Sequence, residues 1–361
     1  MNENEFYRLD FKPLSPLITP LQSDTIFGHV AWAVKYLWGE GRLNDLLDAY
    51  KDGNDAPFLI SDGFPKDRLP KPFVASIHIK RINELINQVA REKDVEFNQA
   101  NFTKVLKRIK KQHFIKIDTF KKFQQDFSSE TVLLESLREL DKNEFTKEKV
   151  STSKMSYQSI VTHNTINRLL GTVTEGLYQQ TESFFPENHS FQVYLRSTLY
   201  TEAELKTIFE MIEYMGFGRD KSTGKGRFSI KIENGNFLPT TPNANAFMVL
   251  SHYVPDAKAP TKGWYRLITK YGRLGGSFAC NVIPGIEDYY NGRKPRVHPY
   301  KKPLLMIQPG SVFWGLPQFN YGLLLGGKHR EPDLWIHKYP RIRHYAYAYP
   351  VGLCTKMKEF N

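Results

Sequence analysis

Residues 216–228, GFGRDKSTGKGRF, bring together four glycines (Gly216, Gly218, Gly224, Gly226), four cations (Arg219, Lys221, Lys225, Arg227) and two hydroxyls (Ser222, Thr223). These residue types hold phosphates. Glycine adopts positive φ and allows close approach, so that backbone N–H groups can face an anion. Guanidinium and ammonium groups add charge, and the hydroxyls add donors. The phosphates in question are those of a nucleotide cofactor or those of a nucleic-acid backbone.

Spacing decides against the cofactor. A nucleotide loop needs G-x-x-x-x-G-K-[ST] between a strand and a helix. Gly218 and Gly224 are separated by five residues rather than four, and Gly226 follows Lys225 where a hydroxyl should meet magnesium. The flanking periodicity is helical before the loop and alternating after it, so no helix N-terminus aims its amides at a phosphate. The dinucleotide pattern G-x-G-x-x-G fails as well, because Lys221 stands where the third glycine is required. No cofactor is expected. A basic, glycine-rich loop beside a sheet suits an RNA strand held by its phosphates, with bases stacked or splayed. A plain helix-to-strand turn needs fewer glycines and no cluster of cations.

Composition agrees with a polyanionic partner. The 361 residues carry 50 Lys and Arg against 38 Asp and Glu, a net charge of +12. Such an excess bears on partners rather than on fold. The opening MNENEFYRLD lacks the basic and apolar regions of a signal peptide. The most apolar run, IFGHVAWAVKYLW, is interrupted by Lys35 and too short to span a bilayer. Two cysteines, Cys280 and Cys354, leave no disulfide framework or four-cysteine zinc site, and the ten histidines show no metal-ligand spacing. A cytoplasmic protein without metal or cofactor is the expectation.

The elements that must position the loop follow from periodicity. Residues 7–12 alternate as a half-buried strand, with Tyr7, Leu9 and Phe11 on one side. Ile26, Val30, Ala33, Val34 and Leu37 then form one helix face, with Ser23 or Asp24 at the N-cap and Gly39 at the end. A short strand falls within 57–64. Residues 76–122 hold twelve Lys/Arg against five Asp/Glu, in helical segments with a narrow apolar stripe of Phe102, Val105, Leu106 and Ile109. These belong to a basic helical insertion over about 76–150, either a solvated face or a surface for RNA or an acidic protein.

Strand periodicity returns at 191–196. Thr201 and Glu204 then form a capping box ahead of Leu205, Ile208, Phe209, Ile212 and Met215 at helical spacing. The glycine loop leads into alternating Phe228, Ile230 and Ile232. The order is that of an interrupted βαββαβ, ferredoxin-like domain over 1–235. Residues 236–245 read as a linker, and FMVLSHY, WYRLITKY, PLLMI, SVFW, YGLLLG and HYAYAYPVGL make 246–361 a second, strand-rich domain. Tyr345, Tyr347 and Tyr349 share one strand face there, suited to packing more than to base stacking.

A helix followed by GFGRDKSTGKGRF and a strand resembles the G-rich loop of the RAMP superfamily of CRISPR RNA-binding proteins. LQSDTIFGHVAWAVKYLWGE, FLISDGFPKDRLPKP, THNTINRLLGTVTEGLYQQTESFF and KKPLLMIQPGSVF extend the match over both halves. Together they look like the Csm-type subunit of type III-A effector complexes that caps the guide RNA's 5′ end. The resemblance implies an α+β chain of two ferredoxin-like (RRM-like) domains that grips the 5′ handle of the crRNA. It implies as partners a large polymerase-like subunit and a backbone RAMP subunit, and a noncatalytic role.

Carried over to this sequence, the loop residues Gly216, Gly218, Arg219, Lys221, Ser222, Thr223, Gly224, Lys225, Gly226 and Arg227 are the foremost RNA-contact candidates. His163, Asn164, Asn167 and Arg168 are second, with a self-satisfied polar network in a hairpin as the alternative. In related backbone subunits an Asp near Asp24 cleaves RNA, whereas the Ser-Asp-Thr context here fits the noncatalytic subunit. The rival expectations are a RAMP endoribonuclease with His29 as general base, and the equivalent subunit of a type III-B complex.

Overall fold

The structure, a computed structural model, describes residues 5–50, 54–95, 99–146, 156–166, 173–275, 299–327, 336–337 and 341–356. Strand β1 (Phe6–Pro13) alternates as its sequence predicts: Leu9 and Phe11 are fully buried, and Arg8, Asp10 and Lys12 are not. Helix α1 (Ser23–Asp48) buries Ile26, Phe27, Val30, Ala33 and Val34. Its expected N-cap is wrong: the N-cap is Gln22, without a side-chain cap bond. Gly39, at φ 84° and ψ −176°, leaves helical geometry as expected, and a second helical stretch follows it within the same range. Leu46 of that stretch finds a place in the core.

Three short strands follow: β2 (Phe58–Ile60), β3 (Phe64–Pro65) and β4 (Arg68–Pro70). The basic segment then forms α2 (Ile79–Glu92), α3 (Gln99–Lys111), β5 (Phe114–Lys116), α4 (Ile117–Gln124), α5 (Ser129–Glu139) and α6 (Lys142–Thr146). Phe102, Val105 and Ile109 of the expected stripe pack with Leu85, Ile86, Val89 and Leu137 in a cluster of their own. The charge is thus the outside of a small helical core. This insertion also reaches across the molecule, where Gln124 Nε2 donates to the carbonyls of Pro239 and Gly352.

The hairpin named as the alternative for the His163 segment is present as a long antiparallel pair, β6 (Tyr157–Ile166) with β7 (Val173–Phe184). Next come β8 (Phe191–Ser197), α7 (Glu202–Met215) with the expected Thr201/Glu204 capping box, and β9 (Phe228–Asn234). The sheet order is β2-β8-β1-β9, every neighbouring pair antiparallel, with β3 also on β8. Strand β8 departs from simple alternation, being buried from Gln192 to Ser197. Its second face is covered too: Gln192 Oε1 accepts the Asp67 N–H, and the Arg196 guanidinium lies over Phe319.

No strand or helix occupies 235–245. Beyond it lie β10 (Ala246–Val249), β11 (Gly263–Trp264), β12 (Leu267–Lys270), β13 (Leu304–Ile307), β14 (Val312–Trp314), β15 (Gly322–Leu325), β16 (His344–Tyr347) and β17 (Pro350–Leu353). Four form a sheet in the order β11-β14-β10-β17; β12 pairs β13 and β15 pairs β16. Among the described residues of this half there is no helix. Its apolar face is closed instead by the first half. Tyr345 stacks on Phe27 with ring centroids 4.7 Å apart, and Tyr347 and Tyr349 join the same hydrophobic cluster as Leu9 and Val30. The chain is therefore α+β with antiparallel sheets. Among the described residues no helix is long and apolar enough to cross a membrane.

Candidate nucleic-acid interface

Helix α7 ends where Gly216 turns to φ 74°, a conformation that L side chains resist. Gly218, Gly224 and Gly226 also have positive φ, at 75°, 86° and 66°, and Asp220 joins them at 57°. Two of these glycines are required by space as well. A Cβ on Gly226 would lie 1.9 Å from the Phe217 carbonyl oxygen, and one on Gly218 would lie 2.5 Å from Thr19 Cβ. A short 3-10 turn over Lys221–Thr223 sits between the left-handed Asp220 and Gly224.

Most of the loop's amides are already engaged, which corrects the expectation that they form an open anion cradle. Phe217 donates to the Gly226 carbonyl, Gly226 to Pro16, and Thr223 and Lys225 to Asp220. The Gly218 N–H goes to His29, Arg219 to Thr19 Oγ1 and Arg227 to Ser15 Oγ. The glycines shape a closed knot against segment 15–19, and the knot's outer surface is made of side chains. Arg219, Lys221, Ser222, Thr223 and Arg227 are exposed there, together with the backbone of Gly224. Partial desolvation lowers the Lys221 ammonium from its ordinary value.

His29 supports this knot from below. Its Nε2 accepts the Gly218 N–H at 2.9 Å, and its ring stacks on Phe217 at 4.6 Å. Burial, reinforced by the Lys221 charge, pushes its basicity down to about 3. A nitrogen that is buried and already accepting a backbone proton is poorly placed to act as a general base.

The second candidate segment meets the first through a residue that the sequence did not single out. His163, on β6, pairs with Tyr178 across the hairpin and stacks on it. Its Nε2 lies 3.2 Å from Oε1 of Glu182, and Oε2 of the same carboxylate accepts from Lys225 Nζ at 2.6 Å. Asn164 sits further out on β6, opposite Leu177, and shares no bond with the loop. Asn167 and Arg168 lie outside the described residues. The segments 157–166 and 173–184 are rich in β-branched and aromatic residues, which was the available sign of a hairpin. Nothing in the local sequence marks Glu182 as buried.

Asp24 is not an N-cap. It lies in the first turn of α1 and accepts from Lys270 Nζ of β12, with His344 Nε2 at 3.7 Å. Burial pushes its carboxyl up, yet Lys270, His344 and Lys301 together hold it below the ordinary value. The same enclosure pushes Lys301 down to about 8 and His344 down to about 3. Beside it, Asp62 accepts the Ser23 and His252 backbone N–H groups and pairs with His252 Nδ1 at 2.6 Å. Both carboxylates join α1 and the β2–β3 turn to the second half. No group of three His, Cys, Asp or Glu suited to a metal occurs among the described residues.

No protein-family model matches the chain, and no curated relative does. Solved structures do. A chain of the Csm1–Csm4 cassette bound to pppApA aligns at TM-score 0.51 and 15% identity, over 98% of this chain and 99% of that one. The Csm3–Csm4 subcomplex of the type III-A CRISPR–Cas interference complex gives TM-score 0.51 and 15% identity, over 96% and 99%. The chain has a Csm-type fold.

Proposed function

We propose that this chain is the crRNA-binding subunit of a type III-A CRISPR–Cas (Csm) interference complex, built from ferredoxin-like RAMP domains. The observation that carries the reading is the glycine knot. Its backbone is engaged within the molecule, and it turns Arg219, Lys221 and Arg227 outward with hydroxyls between them. Cations spaced along a rigid surface loop suit successive phosphates of a strand. The β2-β8-β1-β9 order supports the ferredoxin-like assignment of the first half.

The aligned assemblies share Csm4 as their common component, one with Csm1 and the other with Csm3. On that basis the partners are a large polymerase-like subunit, a backbone RAMP subunit and the 5′ handle of the crRNA, in antiviral defence. The role is noncatalytic and cytoplasmic. The engaged Nε2 of His29 supports it against an endoribonuclease, and the Lys270-bound Asp24 supports it against target cleavage.

The test is to purify the tagged chain from its native cells, sequence the bound RNA and identify the bound proteins. RNAs sharing one repeat-derived 5′ end, with a large polymerase-like protein, are expected. RNAs with heterogeneous ends, or none, would overturn the reading.

A further inference from the structure

Three segments converge on Glu182. The side chain stands on β7 with no exposed surface. Its neighbour Ser183 exchanges both backbone hydrogen bonds with Leu17, and Gly226, next to Lys225, donates to Pro16. The carboxylate itself bridges His163 of the hairpin and Lys225 of the glycine knot. A buried carboxylate deprived of its cation is strongly destabilising, so this pairing is a condition of the fold. The Lys225 side chain is only 20% exposed, unlike Arg219 at 56%. An RNA phosphate could recruit Lys225 only by stranding Glu182 in the interior.

We infer that Glu182 is a positioning residue that withholds Lys225 from RNA and fixes the β6–β7 hairpin against the glycine knot. Arg219, Lys221 and Arg227 are then the phosphate-contacting cations of the loop, and Lys225 is not among them. The withholding half of this inference rests on the RNA-binding function proposed above. The hairpin half stands on the ion pair alone.

The full chain is titrated with a fluorescein-labelled oligouridylate of about twenty nucleotides over a salt series. Arg219→Ala and Arg227→Ala should each flatten the log K against log salt slope by about 0.7, the value for one single-strand phosphate contact. Lys225→Ala should leave the slope unchanged. Glu182→Gln keeps the side-chain shape but releases the ammonium, and should steepen the slope by about 0.7. Hydrogen exchange over 157–166 and 173–184 should quicken in Glu182→Gln and Lys225→Ala, but not in Arg219→Ala.

Should Glu182→Gln or Lys225→Ala unfold, which their melting curves report, the double variant Glu182→Gln/Lys225→Met, which leaves no unpaired buried charge, decides instead. A flattened slope with unchanged hairpin exchange in Lys225→Ala, or in the double variant that replaces it, overturns the inference and leaves RNA binding intact. Wild-type protein that fails to bind the oligouridylate removes the proposed function and the withholding half together, while hairpin exchange still decides the positioning half.

Discussion

The backbone N–H of Gly218 donates to Nε2 of His29 across 189 positions of sequence, at 2.9 Å. A side chain on the first helix thus holds the middle of the glycine knot. His29→Ala removes an acceptor and a ring stacked on Phe217, and leaves a part-buried amide unpaired. Its cost should be about 2–4 kcal/mol in urea unfolding. His29→Gln, whose amide oxygen can accept, should recover part of that loss. Equal costs for the two variants would contradict the hydrogen-bond role.

Histidine burial sets a pH window. His29 and His344 are both pushed from 6.5 down to about 3, chiefly by burial. Unfolded, they take up protons below about 6.5; folded, they do not. Stability they provide is therefore complete above that pH and lost as the pH falls, by about 1.4 kcal/mol per pH unit for each histidine. His252 works the other way. Burial lowers its basicity, but Asp62 outweighs this and raises it. Its contribution is present below 6.5 and fades as pH climbs through the raised value. Unfolding free energy measured from pH 7 to 4.5 should fall, and fall less steeply in His29→Gln.

The glycines of the knot should separate by space. Gly226→Ala would drive a Cβ against the Phe217 carbonyl at a φ of 66°, whereas Gly224, at φ 86°, has nothing within 4 Å. Gly224→Ala should cost about 1 kcal/mol, from the left-handed backbone alone. Gly226→Ala should cost about 3 kcal/mol or more, because the backbone itself has to move. Chemical denaturation of the two variants measures this difference directly.

Asp24 should act as a tether between the halves. Asp24→Asn leaves Lys270 and Lys301 buried without their carboxylate and should destabilise by about 3–5 kcal/mol. Asp24→Asn combined with Lys270→Met should lose less than the single change, since no unpaired charge remains on that pair. A double-mutant cycle followed by thermal melting checks the coupling.

Periodicity reached the elements whose faces are either dry or wet. β1, α7 and the Phe102–Val105–Ile109 stripe lie where their spacing places them. It failed where tertiary contacts override local pattern. Gly39 does break the helix, as its composition predicts, but nothing local announces the second helical stretch beyond it, where Leu46 packs in the core. Asp24 has the composition of a cap, but a lysine 246 positions away claims it. Within the candidate site, residue types marked the loop but not where its amides go. The amides that glycine frees were taken up by Pro16, Ser15, Thr19 and His29, partners with no sequence relation to the loop.

The stacking of Tyr345 on Phe27 has a consequence for synthesis on the ribosome. Helix α1 finds α7 and β2 within the first half, but the strand that stacks on its Phe27, β16, is translated long after it. Until β16 emerges, the nascent chain therefore leaves the Phe27 side of that helix without its aromatic cover, a natural contact for holdase chaperones. Messages truncated before codon 344 should yield insoluble product, even though the glycine knot and its hairpin are already complete.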